Sequence, residues 1–595
     1  MTLKRRHISL ILLGLLLLPI TLQSPFAHSA DSTYVATPPR DAGGNALPGY
    51  IGVDSKPSEQ LLIFPSFLIN LIGKKGAPTS VNACSSVDDS QCAGGYLMLA
   101  RAELQPCTPS NPTDCFLDLI VRDSNGKSLA KTLLTDVMQP MKQNFVGNQK
   151  MWLPTGGNPL IFKIPGAAHA GGDMYLVKPD VYMSKGSDQD RFNLIKFEAG
   201  IFPVSARALK SDKPRQSGAS TNIKDYGGQI EFAGDGDYTC EDGISDGKNC
   251  FVPESFPSGL TFGLNLRLSQ SLYGWLHGRF QDPEITINSN PESATGVDLS
   301  IIAKPIRVPA ISGFIKSDSA PSKILKYFES IPRWGQVFGL INENARSGPL
   351  SDLTIAHNHI DPSEETFLEL SDWLDVLGDT SSGETSYWLV QTIIGGNGDE
   401  VERCTKDAKS LAGVVSTNAT SYLPGPPRFD QKARTLDYKV LAPHYAKDKS
   451  LFLGTYNLVI NGDLARCIYG FTKAPVGATI SVVSTEGTSR LASTLVKQDD
   501  RFVTFAISGF EFSNPTIKVQ FTQNEITPVS TPSPTPTNLA TPTPQATATP
   551  TPTAIPKISP QAAATVKKTI TCKKGSKTIR VIAVNPKCPS GYKRT

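Results

Sequence analysis

Beyond its first thirty residues, this 595-residue sequence contains no run approaching eighteen apolar residues. Nothing later in it is therefore long enough to cross a bilayer as a helix. No two of its ten cysteines have CxxC spacing, which argues against a zinc ribbon or a thioredoxin-like redox site. There is no Walker A loop, no dinucleotide fingerprint and no HExxH, so most enzyme classes with local signatures lack support. Charged residues make up only 19%, too few for a coiled coil. The 39% hydrophobic content is too high for a wholly disordered chain. What remains is a soluble exported protein of roughly two to four domains.

The first positive signal is at the start. Lys4, Arg5 and Arg6 precede an apolar run from Ile8 to Ile20, and Ala27, His28 and Ser29 fit a small-x-small cleavage site. Residues 1–30 read as a signal peptide of the general secretory type. The cysteines agree with an oxidising compartment. Pairing each with its neighbour gives Cys84–Cys92, Cys107–Cys115, Cys240–Cys250, Cys404–Cys467 and Cys572–Cys588. Spacing alone leaves that connectivity open.

Residues 31–315 read as β structure, as one large sandwich or two smaller ones. Phe262, Leu264, Leu266 and Leu268 alternate strictly, as do Val297, Leu299 and Ile301, the period of a half-buried strand. Short β-prone runs at 96–105, 116–122, 159–164, 174–183 and 192–202 are separated by turn signals such as Asn125-Gly126. The polar segment from Lys210 to Asp225 is a candidate seam. Residues 316–395 form a mixed segment with short helices, one over Lys323 to Ile331 and one over Ser363 to Leu377. In the second, Phe367, Leu370, Leu374 and Leu377 share a face. Asp361 is its expected N-cap, and Gly378 its C-terminal stop. Residues 396–525 return to strands and suit a sandwich of roughly immunoglobulin size. The expected fold class is mainly β, with tandem sandwich-like domains.

Composition then changes. Thr527 to Pro560 holds ten Pro and ten Thr, so residues 526–560 are expected to be an extended, disordered linker reaching up to roughly 100 Å. Residues 561–595 carry nine cations and no acid: Lys567, Lys568, Lys573, Lys574, Lys577, Arg580, Lys587, Lys593 and Arg594. The chain is +4 overall, the tail +9 and the first thirty residues +3, which leaves −8 between residues 31 and 560. Such asymmetry reports on partners, and a basic end favours anionic envelope polymers or headgroups over other surfaces. With export, nucleic acid is a poor main partner.

The tail's TITCKKGSKTIRVIAVNPKCPSGYKRT resembles the C-terminal module of an uncharacterised family of exported bacterial surface proteins. Cys572, Gly575, Pro586, Cys588, Pro589, Gly591, Tyr592 and Lys593 carry the match. The stretch 408–521, with LAGVVSTNAT and ARCIYGF, is similar to a domain of such proteins. The resemblance covers about a quarter of the chain. It implies a secreted or surface location and nothing about chemistry. On its residues alone, the tail reads as a two-strand hairpin closed by one bridge.

Several motifs raise chemical readings. In LTIAHNHIDP, His357, His359 and Asp361 alternate, a spacing that lets imidazoles and a carboxylate converge on a divalent ion. It resembles the first ligand segment of metallo-β-lactamase-fold hydrolases, but Pro362 stands where the next ligand would be. A polar loop at a helix start competes with it. In GDGDYTCEDGISDG, Asp235, Asp237, Glu241, Asp242 and Asp246 offer hard oxygens to a structural calcium, though the register fails the EF-hand pattern. An Asp/Gly loop is usually just a turn. The letters Gly243-Ile244-Ser245-Asp246-Gly247 fit GxSxG without the strand and helix that a nucleophile elbow needs. Leu153-Pro154-Thr155-Gly156 lacks the spacing of a sortase signal. Trp275, His277, Arg279, Asp282 and Glu284 could be read as an acid pair beside an aromatic, or as a strand and turn. The five tryptophans are scattered, as core packing predicts.

The expectation is a secreted, surface-associated binding or structural protein, engaged in adhesion or capture of an extracellular polymer. No catalytic residue and no cofactor is assigned. Its rivals are an exported glycan hydrolase, metal-dependent through His357 and His359, and a released protein whose tail binds another protein.

Overall fold

The fold was read from a computed structural model. It describes residues 34–43, 46–55, 66–75, 77–138, 140, 144–208, 219–223, 228–232, 244–245, 249–290, 296–330, 338–340, 349–352, 354–357, 364–393, 403–404, 411–423, 425–471, 476–483, 489–490, 493–498, 501–512, 516–523, 568–574, 577–583 and 593–594. The protein is mainly β, with several sheets and few helices. The expected signal peptide and the Pro/Thr-rich segment lie outside the described residues. The chain divides into two compact units, Met1–Ile526 and Thr527–Thr595.

One long sheet organises the first unit. The strands along its main path are β1 (Phe67–Lys74), β2 (Ala77–Ala83), β3 (Leu97–Glu103), β4 (Met174–Gly186), β5 (Asn193–Ala208), β6 (Gly274–Arg279), β7 (Leu389–Thr392), β8 (Leu411–Thr417), β9 (Leu453–Asn461), β10 (Ser493–Gln498) and β11 (Phe502–Glu511), with four short strands paired beside that path. Their spatial order is β10-β11-β9-β8-β6-β7-β5-β4-β3-β1-β2. Neighbours are antiparallel except β6 and β8, which run parallel, with His277 opposite Val415.

Two smaller sheets cover opposite faces of this long one. The first orders strands Gln281–Ser289, Val297–Lys304, Thr261–Leu268 and Cys115–Arg122. Its alternating Phe262, Leu264, Leu266, Leu299 and Ile301 share a buried core with Val177, Phe197, Leu276, Val390, Val414 and Val459 of the long sheet. The second is built on Thr435–Leu441, Thr516–Gln523 and Val476–Val483. It buries Leu436, Tyr438, Ile480 and Val519 against Trp275, Val415, Leu458 and Phe505. Trp275 and Leu276 enter different cores because successive strand side chains point to opposite faces.

The expected partition into 31–315, 316–395 and 396–525 is crossed by backbone pairing. β8, from the third segment, is hydrogen-bonded to β6 of the first, and β7, from the second, lies between β6 and β5. Strand Thr354–His357 pairs with Tyr50–Ser55. Local alternation identifies strands but says nothing of their partners.

Most of the seam expected over Lys210 to Asp225 lies outside the described residues. The strands on either side of it are hydrogen-bonded neighbours, with Ala208 opposite Asn249 and Arg207 opposite Cys250.

Helix α1 (Ser322–Ser330) and helix α2 (Glu364–Val376) fall where the sequence predicts them. Phe367, Leu370, Leu374 and Leu377 are buried together with Ile51, Ile311 and Phe328. Gly378 follows at φ 63°, the left-handed stop that glycine makes without penalty. A third helix, α3 (Gly462–Tyr469), was not expected. Asn461 caps it by accepting from the amides of Asp463 and Leu464, and Gly470 ends it in the left-handed region.

Candidate functional site

The sequence-predicted site residues do not converge among the described residues. His357 ends the strand Thr354–His357, opposite Val53 and Phe338. His359 and Asp361 lie outside the described residues, as do Asp235, Asp237, Glu241, Asp242 and Asp246. Among the described residues, no group of three or more His, Cys, Asp or Glu is placed to hold a metal ion. Ser245 ends a two-residue strand paired with Cys250, which is not an elbow between strand and helix. Trp275, His277 and Arg279 are buried, and Asp282 pairs with Lys304 at 2.9 Å. Glu284 is exposed on the strand Gln281–Ser289, whereas Trp275 is enclosed in the core.

Bridges Cys84–Cys92, Cys107–Cys115 and Cys404–Cys467 are formed. Cys250 is also disulfide-bonded, while Cys240 lies outside the described residues. Cys572 sits on a strand, and Cys588 lies outside the description. No helix among the described residues is long and apolar enough to cross a membrane.

In the second unit, strand Lys568–Lys574 pairs antiparallel with Lys577–Ala583 on one edge and Lys593–Arg594 on the other. The third strand was not expected. Lys573 stands opposite both Thr578 and Lys593, and Arg580 stands opposite Thr571. These register positions fall on one face, which carries Lys573, Arg580 and Lys593. Lys568, Lys574, Lys577 and Arg594 fall on the other. Lys593 and Arg594 are exposed, and Lys567 and Lys587 lie outside the described residues. Like charges directly opposed across a strand pair repel.

A polar constellation that the sequence reading missed crosses the long sheet, on the face that meets the second small sheet. Glu103 stands opposite Asp180, Asp180 opposite Glu198, Glu198 opposite Gln391, and Gln391 opposite His277. One step along the strands, Phe67, Arg101, Tyr182 and Lys196 form a second row. One step the other way lie Lys178, Gly200, Leu389 and Arg279. Arg101 is 6% exposed, Glu103 0%, Lys178 6% and Asp180 2%.

Charges so deeply buried persist only when paired. One Arg101 nitrogen donates to Asp180 and to Glu198, each at 2.9 Å. Lys178 meets Glu103 at 2.7 Å and Asp180 at 2.8 Å, and Lys196 pairs with Glu198. Among the described residues, three cations thus meet three carboxylates. Burial alone would raise Asp180, but Arg101 and Lys178 hold it below the usual carboxylate range. Burial pushes Glu103 up to about 7 against the pull of Lys178. Burial also lowers His277 well below the ordinary imidazole range, helped by Arg279. His277 stacks on Tyr422 at 3.7 Å, and Arg279 donates to the carbonyls of Thr417 and Ala419.

The segments are Ala100-Arg101-Ala102-Glu103, Val177-Lys178-Pro179-Asp180 and Ile195-Lys196-Phe197-Glu198. Their shared signal is a charge at every second position. That period is legible, but it is also what a solvent-facing strand shows.

The network makes stability depend on pH. The Glu103 carboxyl titrates near 4.5 ordinarily and near 7 when folded. Its contribution is complete below about 4.5 and is lost as pH rises through about 7. His277 runs the other way below pH 6.5, so the quantity to read is the difference between the parent and Glu103→Gln. Relative to that variant, the parent is expected to lose about 2–3 kcal/mol between pH 5 and pH 8, measured by urea unfolding. A flat difference would contradict the assignment.

Asp379 accepts from both the backbone N–H and the imidazole Nδ1 of His444. This ties the end of α2 to the loop before β9. The chain matches no protein-family model and no curated protein.

Proposed function

We propose that the chain is a secreted, cell-surface-associated binding protein. Its β body captures an extracellular polymer, and its basic tail contacts the anionic envelope. The observation that carries this reading is the tail register, with Lys573 directly opposite Lys593 and Arg580 on the same face. Opposed cations cost the sheet stability on their own, and an anionic surface lying across them removes that cost. The tail belongs to its own compact unit, Thr527–Thr595. The acid-free composition of residues 561–595 and the net charge of −8 between residues 31 and 560 point the same way. The formed disulfides fit an extracellular compartment.

Fractionation of the source cell tests the proposal. The full chain is expected in the envelope fraction. A variant with all nine tail cations changed to Gln is expected in the medium. Cytoplasmic recovery of the parent, or envelope retention of the variant equal to the parent's, would overturn it.

A further inference from the structure

The polar lane is open along part of its length. In its first row Glu103 and Asp180 are buried, Glu198 and Gln391 are half-buried, and His277 is buried again. In its second row Phe67 and Arg101 are buried, whereas Tyr182 and Lys196 are half-buried. The third row, Lys178, Gly200, Leu389 and Arg279, is buried throughout. On the opposite side, Ser184 is half-buried and its partner Asn193 exposed. Tyr182, Lys196, Glu198 and Gln391 are thus the accessible part of this face, bordered by buried residues on the Arg101, Lys178 and His277 sides. This accessible patch, the groove, continues to Ser184 and Asn193. Tyr422, from the edge of the second small sheet, closes one side by stacking on His277.

The floor's chemistry is specific. The Glu198 carboxylate accepts from Arg101 at 2.9 Å and pairs with Lys196. The side chains of Lys196 and Glu198 keep 24% and 16% of their surface accessible, so this ion pair is partly open to solvent. Gln391 brings a carbonyl acceptor and an amide donor. The Tyr182 ring is held edge-on by Phe67, with centroids 5.8 Å apart. Groups fixed beforehand lose little freedom on binding. Cations and carboxylates balance in the network beneath, so the floor gives no strong preference to an ionic ligand. From strand spacing and rise, Tyr182 and Gln391 are roughly 12 Å apart, about the span of a disaccharide.

We infer that this groove binds a neutral, hydroxyl-rich glycan. Tyr182 packs on a sugar face, while Lys196, Glu198 and Gln391 bond its hydroxyls. The inference rests on reading the body as the capturing part, and the tail has no role in it.

The test is calorimetric titration of the full chain with cellohexaose, chitohexaose and maltohexaose in 0.5 M NaCl, where a Debye length of about 4 Å screens the tail. At least one oligosaccharide is expected to bind. Tyr182→Ala and Gln391→Ala are each expected to weaken it by about tenfold, with Tm close to the parent's. Lys447→Ala, outside the groove, should leave it unchanged. Should Tyr182→Ala fail to fold, Gln391→Ala and Glu198→Gln carry the test. Binding of none of the three, or binding undiminished in folded groove variants, would overturn the groove. Envelope retention is read separately at low salt. Its loss with oligosaccharide binding intact removes the anchor alone, and the converse removes the groove alone.

Discussion

Replacing Arg101 by Met is expected to destabilise the body by about 3–5 kcal/mol, the usual consequence of removing one partner from a buried ion pair. Among the described residues, Arg101 is the cation that touches both Asp180 and Glu198. Without it, among the described residues three carboxylates share Lys178 and Lys196, of which Lys178 is the one that reaches the fully buried Glu103 and Asp180. Methionine keeps most of the side-chain length, so the loss reads charge more than volume. Changing Glu198 to Leu in the same background restores the charge balance, and part of the stability should return. A double-mutant cycle by denaturant unfolding measures that recovery. A loss under about 1 kcal/mol would mean that water reaches Arg101 and that the lane is surface.

The second large effect is expected at Cys404–Cys467. Sixty-three residues separate the two, and closing a loop of that size restricts the unfolded chain by about 4 kcal/mol. The Cys404→Ala/Cys467→Ala variant should lose stability of that order in chemical unfolding. Cys84–Cys92 and Cys107–Cys115 have separations of 8, and opening either should cost only about 2–3 kcal/mol. Equal losses from the long and short loops would contradict this ordering. The bridge ties residue 404, just before β8, to α3, which follows β9. Both strands lie in the long sheet, so its opening loosens the wall behind His277 and Tyr422.

Much of the strand inventory was legible in the sequence. Alternation marked Thr261–Leu268 and Val297–Lys304, and a one-sided apolar face with Gly378 behind it marked α2. Both signals act within about ten residues, where periodicity has meaning. The helix α3 carried its signals too, in Asn461 and Gly470, but its eight residues follow directly on β9 and read as the end of a strand.

Pairing was not legible. β6 and β8 are joined across more than a hundred residues, and no local pattern encodes a parallel partner. The polar lane failed for a different reason. Arg101, Glu103, Lys178 and Asp180 alternate as solvent-facing residues do, and only the assembled sheet shows that they are buried. Among the described residues that the sequence singles out for binding, the tail cations of three short strands gain a common setting through their register. The strand Lys593–Arg594 that completes it is two residues long, too short for any period to announce.

The tail's grip on an anionic surface is the central claim of the proposed function, and its salt dependence tests it most directly. Purified envelopes of the source cell would be sedimented with the full chain and with the nine-cation Gln variant, from 0.05 to 0.5 M NaCl. Electrostatic contact predicts that the parent binds at low salt and is released by several-fold as the Debye length falls from about 14 Å to about 4 Å, while the variant stays in the supernatant throughout. Binding that is indifferent to salt, or equal in the two proteins, would contradict it.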